Sequence, residues 1–404
     1  MYIVIGQGIA GATAAETLRK LDPQTPVAVV TDESDYLYSR IDLPDVIAGK
    51  FTPAASALRT ADDFAKAGIE CFMGDAAAAL VREEKVVVLT SGKRLSYDKL
   101  LLATGSLPVL PPVPGTGAPG VYSLWTLKQA GEMAAAADAA RNAVVVGAGL
   151  IGLKTALALK KRGLNVTVVE KLPRLLPRRL DEEASDMLAE FVREKGVGIL
   201  VGTGVDAIVT DRGAVSGVNA GGRILPADLV VMAVGVKPNM ELAVAAGIET
   251  GRGITVDEFQ GTSDPDVYAA GDAAETVDPL TGDRTIPAIW PVAVAQGRIA
   301  ASGMAGGRAT YDGMVAMNAV EIGGMPLVSI GDIEGRTGDE VLAARRNGAY
   351  RKVLIRDGKI RGVLFLGDIR QAGVIGRLIS RRVETAEVER LISPYFSYAD
   401  LIAV

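Results

Sequence analysis

The stretch "MYIVIGQGIAGATAAETLRKL" (residues 1–21) decides how the rest of the chain is read. Four apolar residues, Tyr2 to Ile5, form a short buried strand. Six residues with three glycines follow, Gly6 to Gly11, and a helical pattern then runs to about Leu21. A GxGxxG run by itself marks no more than a tight turn. Here it leaves a strand and opens a helix, and a second strand, "VAVVT" (27–31), ends on the acids Asp32 and Glu33. That arrangement suits a dinucleotide. The first glycine permits the turn, the second lets backbone N–H groups approach a pyrophosphate, and the third lets the helix pack close to the strand. The helix N-terminus adds a favourable field for an anion.

The plan is repeated. "NAVVV" (142–146) is a strand, "GAGLIG" (147–152) the turn, "LKTALALKKRG" the helix and "NVTVVE" the next strand, ending on Glu170. Two such units predict an α/β chain with two Rossmann-like domains. Between them, "EKVVVLTSGKRLSYDKLLLATGS" (84–106) reads as a hairpin and a strand, and the Pro-rich "SLPVLPPVPGTGAPG" as a boundary. "DLVVMAVGVKPN" (228–239) mirrors that strand in the second unit. After about residue 313, alternating segments such as "YRKVLIRDGKIRGVLFLGD" (350–368) read as antiparallel strands turning at Asp357-Gly358. They predict a third, small α+β domain.

Composition removes most other chemistries. With one cysteine, Cys71, and no histidine, the chain has no internal disulfide, no redox-active cysteine pair, no Ser-His-Asp machinery and no His-held zinc or haem. No metal site is expected. Hydride transfer survives, because cofactors carry it. A formal charge of -5 argues against nucleic acid or an anionic membrane as main partner. The basic "RLLPRRL" (174–180) is the exception, either a solvated loop or an anion site. No run of about 20 residues lacks both charges and breakers, so no membrane span is expected. The chain opens in a strand at Tyr2, which leaves no room for a signal peptide, and a cytoplasmic protein is expected.

The acids sharpen the reading. A carboxylate at Glu170 favours a free ribose 2′-OH, hence NADH over NADPH, with Lys171 and Arg174 near enough to soften the choice; otherwise Glu170 is a surface acid. In the first unit the ribose acid is Asp32 or Glu33, with Asp32, nearer the strand tip, preferred. Asp272, in "AAGD", either caps a following helix "AAE" or accepts a hydrogen bond from a cofactor ribityl hydroxyl.

"GQGIAG", "YDKLLLATGSLP", "GAGLIG", "VVE", "AVGVKPN" and "TSDPDVYAAGD", in this order, resemble the FAD and NAD(P)H oxidoreductases of the pyridine nucleotide–disulfide reductase superfamily over about residues 1–305. The tail, with "SIGDIE" and "YRKVLIRDGKIRGVLFLGDI", is similar to NADH:rubredoxin reductases and the flavin module of assimilatory nitrite reductases. The resemblance implies a discontinuous FAD domain (1–112 and 243–313), an NAD(H) domain between the two pieces (113–242) and a C-terminal interface domain (314–404). It implies that Gly6, Gly8, Gly11 and Asp32 or Glu33 hold the FAD adenosine and pyrophosphate, with Arg40 beside the FAD and Ala77 meeting the adenine. Ala103, Thr104 and Gly105 would line the flavin, Gly271 and Asp272 the ribityl and phosphate. Pro291 and Val292 would lie along the isoalloxazine. Gly147, Gly149, Ile151, Gly152, Glu170 and Gly235 would hold NADH.

Three departures matter. Relatives with sulfur chemistry carry one or two cysteines where this chain has Ile41, and Cys71 reads as a small buried apolar residue. Asp45 stands where monooxygenase-type ferredoxin reductases often have lysine. Lys154 stands where glutamate is frequent near the nicotinamide; it is either an exposed helix lysine or a charge that changes how NADH or the flavin is held. The expectation is electron transfer from NADH through FAD to rubredoxin, ferredoxin or an iron–sulfur partner subunit of a larger complex. The alternatives are a cysteine-independent NADH oxidase and a non-catalytic FAD/NADH sensor. Oligomerisation is left open.

Overall fold

The computed structural model describes residues 1–384 and 391–393, and the chain divides into two compact units. One comprises residues 1–40, 53–107 and 236–314; the other comprises 41–52, 108–235 and the chain from 315 onward. Of the C-terminal domain expected over 314–404, residues 385–390 and 394–404 lie outside the described residues.

The first unit is built on a parallel sheet in the order Val267–Ala269, Lys99–Leu102, Tyr2–Ile5, Val27–Thr31, Ile69–Met73. Its central strands are buried along their whole length, as expected for a sheet covered on both faces. Truncating Ile3, fully buried, to alanine should cost about 2–5 kcal/mol. The helix Ile9–Leu21 leaves the first turn and packs on Trp290–Met304. Small residues allow the contact: a Cβ on Gly297 would stand 2.4 Å from the Ala10 carbonyl oxygen, and Ala14, Ala300 and Ala301 are fully buried.

The second unit repeats the design with Val197–Leu200, Asn165–Val169, Asn142–Val146, Leu229–Met232 and Val121–Tyr122, all parallel. Its last part is a five-stranded antiparallel sheet in the order Met317–Ile322, Met325–Gly331, Lys359–Leu366, Ala349–Arg356, Glu340–Arg346. Asp357 and Gly358 turn the expected hairpin with positive φ of 53° and 69°, the conformation for which Asp-Gly is the favoured pair. Asp181, which caps the helix Glu182–Glu194, accepts from the Tyr350 hydroxyl at 2.6 Å and pairs with Lys352 at 3.1 Å. These bonds tie the antiparallel sheet to that helix.

One local expectation is overturned. "AAE" after Asp272 is no helix: Gly271–Ala273 make a single 3-10 turn, and Ala274–Val277 a strand that pairs with Ile254–Thr255 and Arg284–Thr285. Three residues do not outweigh the cost of nucleating a helix, and the β-branched Thr276 and Val277 favour the strand. Among the described residues no helix is long and apolar enough to cross a membrane.

Candidate functional site

The two glycine turns have the same construction. In the first, Gly6 has φ +103°, and a Cβ there would lie 2.1 Å from the Ala103 carbonyl oxygen. A Cβ on Gly11 would lie 2.0 Å from the carbonyl oxygen of Gly6, whereas one on Gly8 would meet nothing within 4 Å. In the second, Gly147 has φ +107° and a Cβ would lie 2.3 Å from the Ala233 carbonyl oxygen; Gly152 meets Gly147 at 2.0 Å, and Gly149 meets nothing. Outer glycines close the turn and seat the helix, while the middle one leaves open space over the helix start, where a pyrophosphate fits.

The acids beside the two turns differ in their bonding. Glu170 accepts from the Ala148 N–H at 2.7 Å with one carboxylate oxygen and from the Leu172 N–H at 2.8 Å with the other. It is therefore fixed against its own glycine turn. At the first turn, Thr31, Glu33 and Asp35 line a crevice with Gln7, Tyr38 and Arg40. Asp32 is exposed and does not line it. Glu33 accepts from the Tyr38 hydroxyl at 2.5 Å and forms an ion pair with Arg40. With Arg40 folded onto Glu33, the crevice holds only about 20 Å³. The side-chain amide of Gln7, inside the turn, is buried with no partner for either its nitrogen or its oxygen. Such an orphaned group is costly unless a ligand satisfies it.

Further along the first unit, Ala103 to Gly105 leave the strand Lys99–Leu102, and Thr104 Oγ1 donates to the Asn239 carbonyl at 2.6 Å. Asp272 accepts from Ser106 Oγ at 2.9 Å. Burial raises the Asp272 carboxyl above its ordinary value, against the Ser106 hydrogen bond and the Arg40 charge, which lower it. The Gly271 N–H donates to Gln296 Oε1 at 2.8 Å, and Gln296 Nε2, fully buried, has no partner. Gln7, Ser106, Tyr38 and Gln296 were not among the expected site residues; Ser106 alone carried a signal, following "ATG" directly. Pro291 and Val292 occupy the first turn of the helix Trp290–Met304, Val292 buried and Pro291 exposed. Ala77 opens the strand Ala77–Val81 and is half-buried.

In the second unit Ile151 is half-buried in the first turn of its helix, and Gly235 has φ +124° with open space where a Cβ would be. Lys154 is half-buried, its Nζ 3.5 Å from the Ile41 carbonyl oxygen. Ile41 is 55% exposed. The basic loop is not simply solvated: Arg174 donates to the Pro177 carbonyl at 3.2 Å, and burial, then the neighbouring Arg178, lower the Arg179 guanidinium. Cys71 stands alone in the strand Ile69–Met73, and burial, with a smaller push from Glu70, raises its thiol to about 11. It is protonated at neutral pH, and the thiolate is the reactive form.

Residues 1–297 match the pyridine nucleotide-disulphide oxidoreductase family, and residues 317–383 match the rubredoxin NAD+ reductase C-terminal domain. The chain is 34% identical over 388 residues to the NADH-dependent phenylglyoxylate dehydrogenase subunit epsilon of Aromatoleum evansii, covering 95% of this chain and 92% of that one. It is 30% identical to an NADH oxidase of Methanocaldococcus jannaschii, covering 100% and 95%. Among solved structures, that of the covalent putidaredoxin reductase–putidaredoxin complex superimposes with a TM-score of 0.92 at 28% identity, covering 100% of this chain and 98% of that one.

Proposed function

The chain belongs to the pyridine nucleotide-disulphide oxidoreductase family, and from that premise we propose that it passes electrons from NADH, through FAD, to a one-electron protein acceptor: rubredoxin, ferredoxin or an iron–sulfur partner subunit. It is an oxidoreductase whose cofactors are FAD and NADH. The observation that carries the acceptor is the pairing of two open glycine cradles with an absent sulfur relay. Ile41 replaces the cysteine, and the one thiol present is held protonated.

The residues divide the work as follows. Gly6, Gly8 and Gly11 present the first helix start to the FAD pyrophosphate, and Gln7 supplies an amide that is otherwise unpartnered. Glu33, in the crevice where Asp32 is not, takes the ribose once Arg40 releases it and turns to the anionic cofactor. Ala77 meets the adenine; Ala103, Thr104 and Gly105, with Pro291 and Val292, line the flavin. Asp272, oriented by Ser106, accepts from the ribityl chain, and Gln296 fixes the Gly271 backbone beside it. Gly147, Gly149, Ile151, Gly152 and Gly235 position NADH, and Glu170, already locked, receives its ribose hydroxyls and discriminates against a 2′-phosphate. FAD held there would supply the hydride acceptor for NADH and an outlet for single electrons, so the side chains need supply only position and field.

Three features support a protein acceptor: the match of residues 317–383 to a rubredoxin reductase domain, the relative that is a dehydrogenase subunit, and the likeness to a reductase solved with its redox partner. The M. jannaschii relative supports a second reading, an NADH oxidase. Anaerobic titration separates the two. NADH should bleach the flavin band, and oxidised rubredoxin or ferredoxin should restore it faster than air does. Faster return in air favours the oxidase, and an unchanged band with NADH defeats both.

A further inference from the structure

A groove enclosing about 670 Å³ lies within the second unit. Five lysines line it: Lys50, Lys154, Lys160, Lys161 and Lys195. Only two carboxylates face them, Asp45 and Glu321, which leaves an excess of three positive charges on a chain whose formal net charge is -5. Of these five lysines, only Lys50 has a carboxylate among the described residues in ion-pair range, Asp45 at 3.5 Å. Lys195 lies over the Phe191 ring, its Nζ 4.8 Å from the centroid.

Lysine at a helix C-terminus has an ordinary explanation, since the helix dipole places about half a negative charge there. Lys160 and Lys161 end one helix and Lys195 follows another. Subtracting two half charges still leaves an excess of about two. Lys154 lies in the N-terminal half of its helix, and Lys50 follows a short helix by three residues; the dipole explains neither. Pro44, Leu157 and Ala158 add apolar surface to the lining. The volume falls in the range of small-molecule sites, about 300–1,000 Å³. The glycine turn from Gly147 to Gly152 and Glu170 do not line it, whereas Lys154, weighed above as a neighbour of the nicotinamide, does.

We propose that this groove binds an oligophosphate, either a nucleotide or a free polyphosphate, at a site separate from both dinucleotides. Ammonium groups act on phosphate as point charges. Several of them around one concavity match a ligand that carries several charges along its length, and a single carboxylate would leave most of them uncompensated.

The test uses the flavin-loaded chain saturated with NAD+, so that the nicotinamide site is filled. Calorimetry is run with ATP and, separately, with tripolyphosphate. One equivalent should bind, and Lys161→Gln/Lys195→Gln should weaken binding at least tenfold while flavin reduction by NADH and the melting temperature stay unchanged. Lys161→Arg/Lys195→Arg, which keeps the charge, should restore most of it. Tighter binding of ATP identifies a nucleotide, and equal binding identifies the phosphate chain alone. Absence of binding, or binding that the glutamine pair leaves unchanged, overturns the proposal. So does a glutamine pair that leaves anion binding intact but raises KM for a protein acceptor, which would make the groove a protein-docking face.

Discussion

The first and second glycine turns match to within a few tenths of an ångström in the contacts that exclude side chains, yet their acids are held differently. Glu170 is fixed by two backbone N–H groups of its own unit, whereas Glu33 is engaged by a tyrosine and an arginine. The shared part is backbone geometry, which glycine alone can supply. The different part is preorganisation. A carboxylate locked by the main chain meets a ligand that comes and goes without rearrangement, whereas one closed by a side-chain ion pair must be opened once, for a ligand that stays. That difference matches a transient NADH and a resident FAD.

Alanine substitutions at the outer glycines break the comparison most severely. Gly6→Ala and Gly147→Ala each force a Cβ within 2.3 Å of a carbonyl oxygen at a positive φ, costing about 3 kcal/mol or more. Gly6→Ala should be recovered without flavin. Gly147→Ala should retain flavin but fail to be reduced by NADH. Absorbance of the purified variants, before and after NADH, reads both. Gly8→Ala and Gly149→Ala, which meet nothing, should leave the melting temperature of the ligand-free chain nearly unchanged while weakening the corresponding cofactor.

Smaller effects sharpen the contrast between the acids. Glu170→Gln removes the charge and one of the two backbone bonds, since its amide nitrogen cannot accept from an N–H. It should raise KM for NADH about tenfold and narrow the preference over NADPH, since a charge-assisted hydrogen bond is worth about 1.5–3 kcal/mol. Steady-state kinetics with both nucleotides checks this. Asp272 gives a pH signature. Its folded carboxyl value lies above the unfolded one, so it stabilises the ligand-free fold fully below its ordinary value of 3.8 and loses that contribution as pH rises through the folded value. Asp272→Asn should therefore melt higher than the parent at neutral pH, with the gap closing on acidification. A gap that widens in acid would contradict the assignment.

Much of this was readable in residues 1–31 and 142–170, because glycine spacing, strand hydrophobicity and a terminal acid are local signals. Choosing between Asp32 and Glu33 needs the path of the chain beyond the strand, which ends at Thr31. Glu33 lines the crevice with Thr31 and Asp35 and bonds to Tyr38 and Arg40, while Asp32 is exposed, and no pattern within the strand announces that path. The helix expected after Asp272 was mistaken because acid followed by Ala-Ala suits a helix start, while pairing with residues 254–255 and 284–285 decides for a strand. The setting of Lys154 depends on residues 41–50 and 321–323, far away in sequence, and no local pattern announces it.

The most direct measurement counts electrons. Anaerobic titration of the flavin-loaded chain and of its Cys71→Ser variant should reach full reduction at one NADH per flavin in both, because no sulfur stores a second pair. Uptake of two NADH per flavin by the parent, falling to one in the variant, would show that Cys71 starts oxidised, as a sulfenic acid or a mixed disulfide with a small thiol, and is reduced to the thiol by the second pair; that would contradict a chain without a sulfur relay.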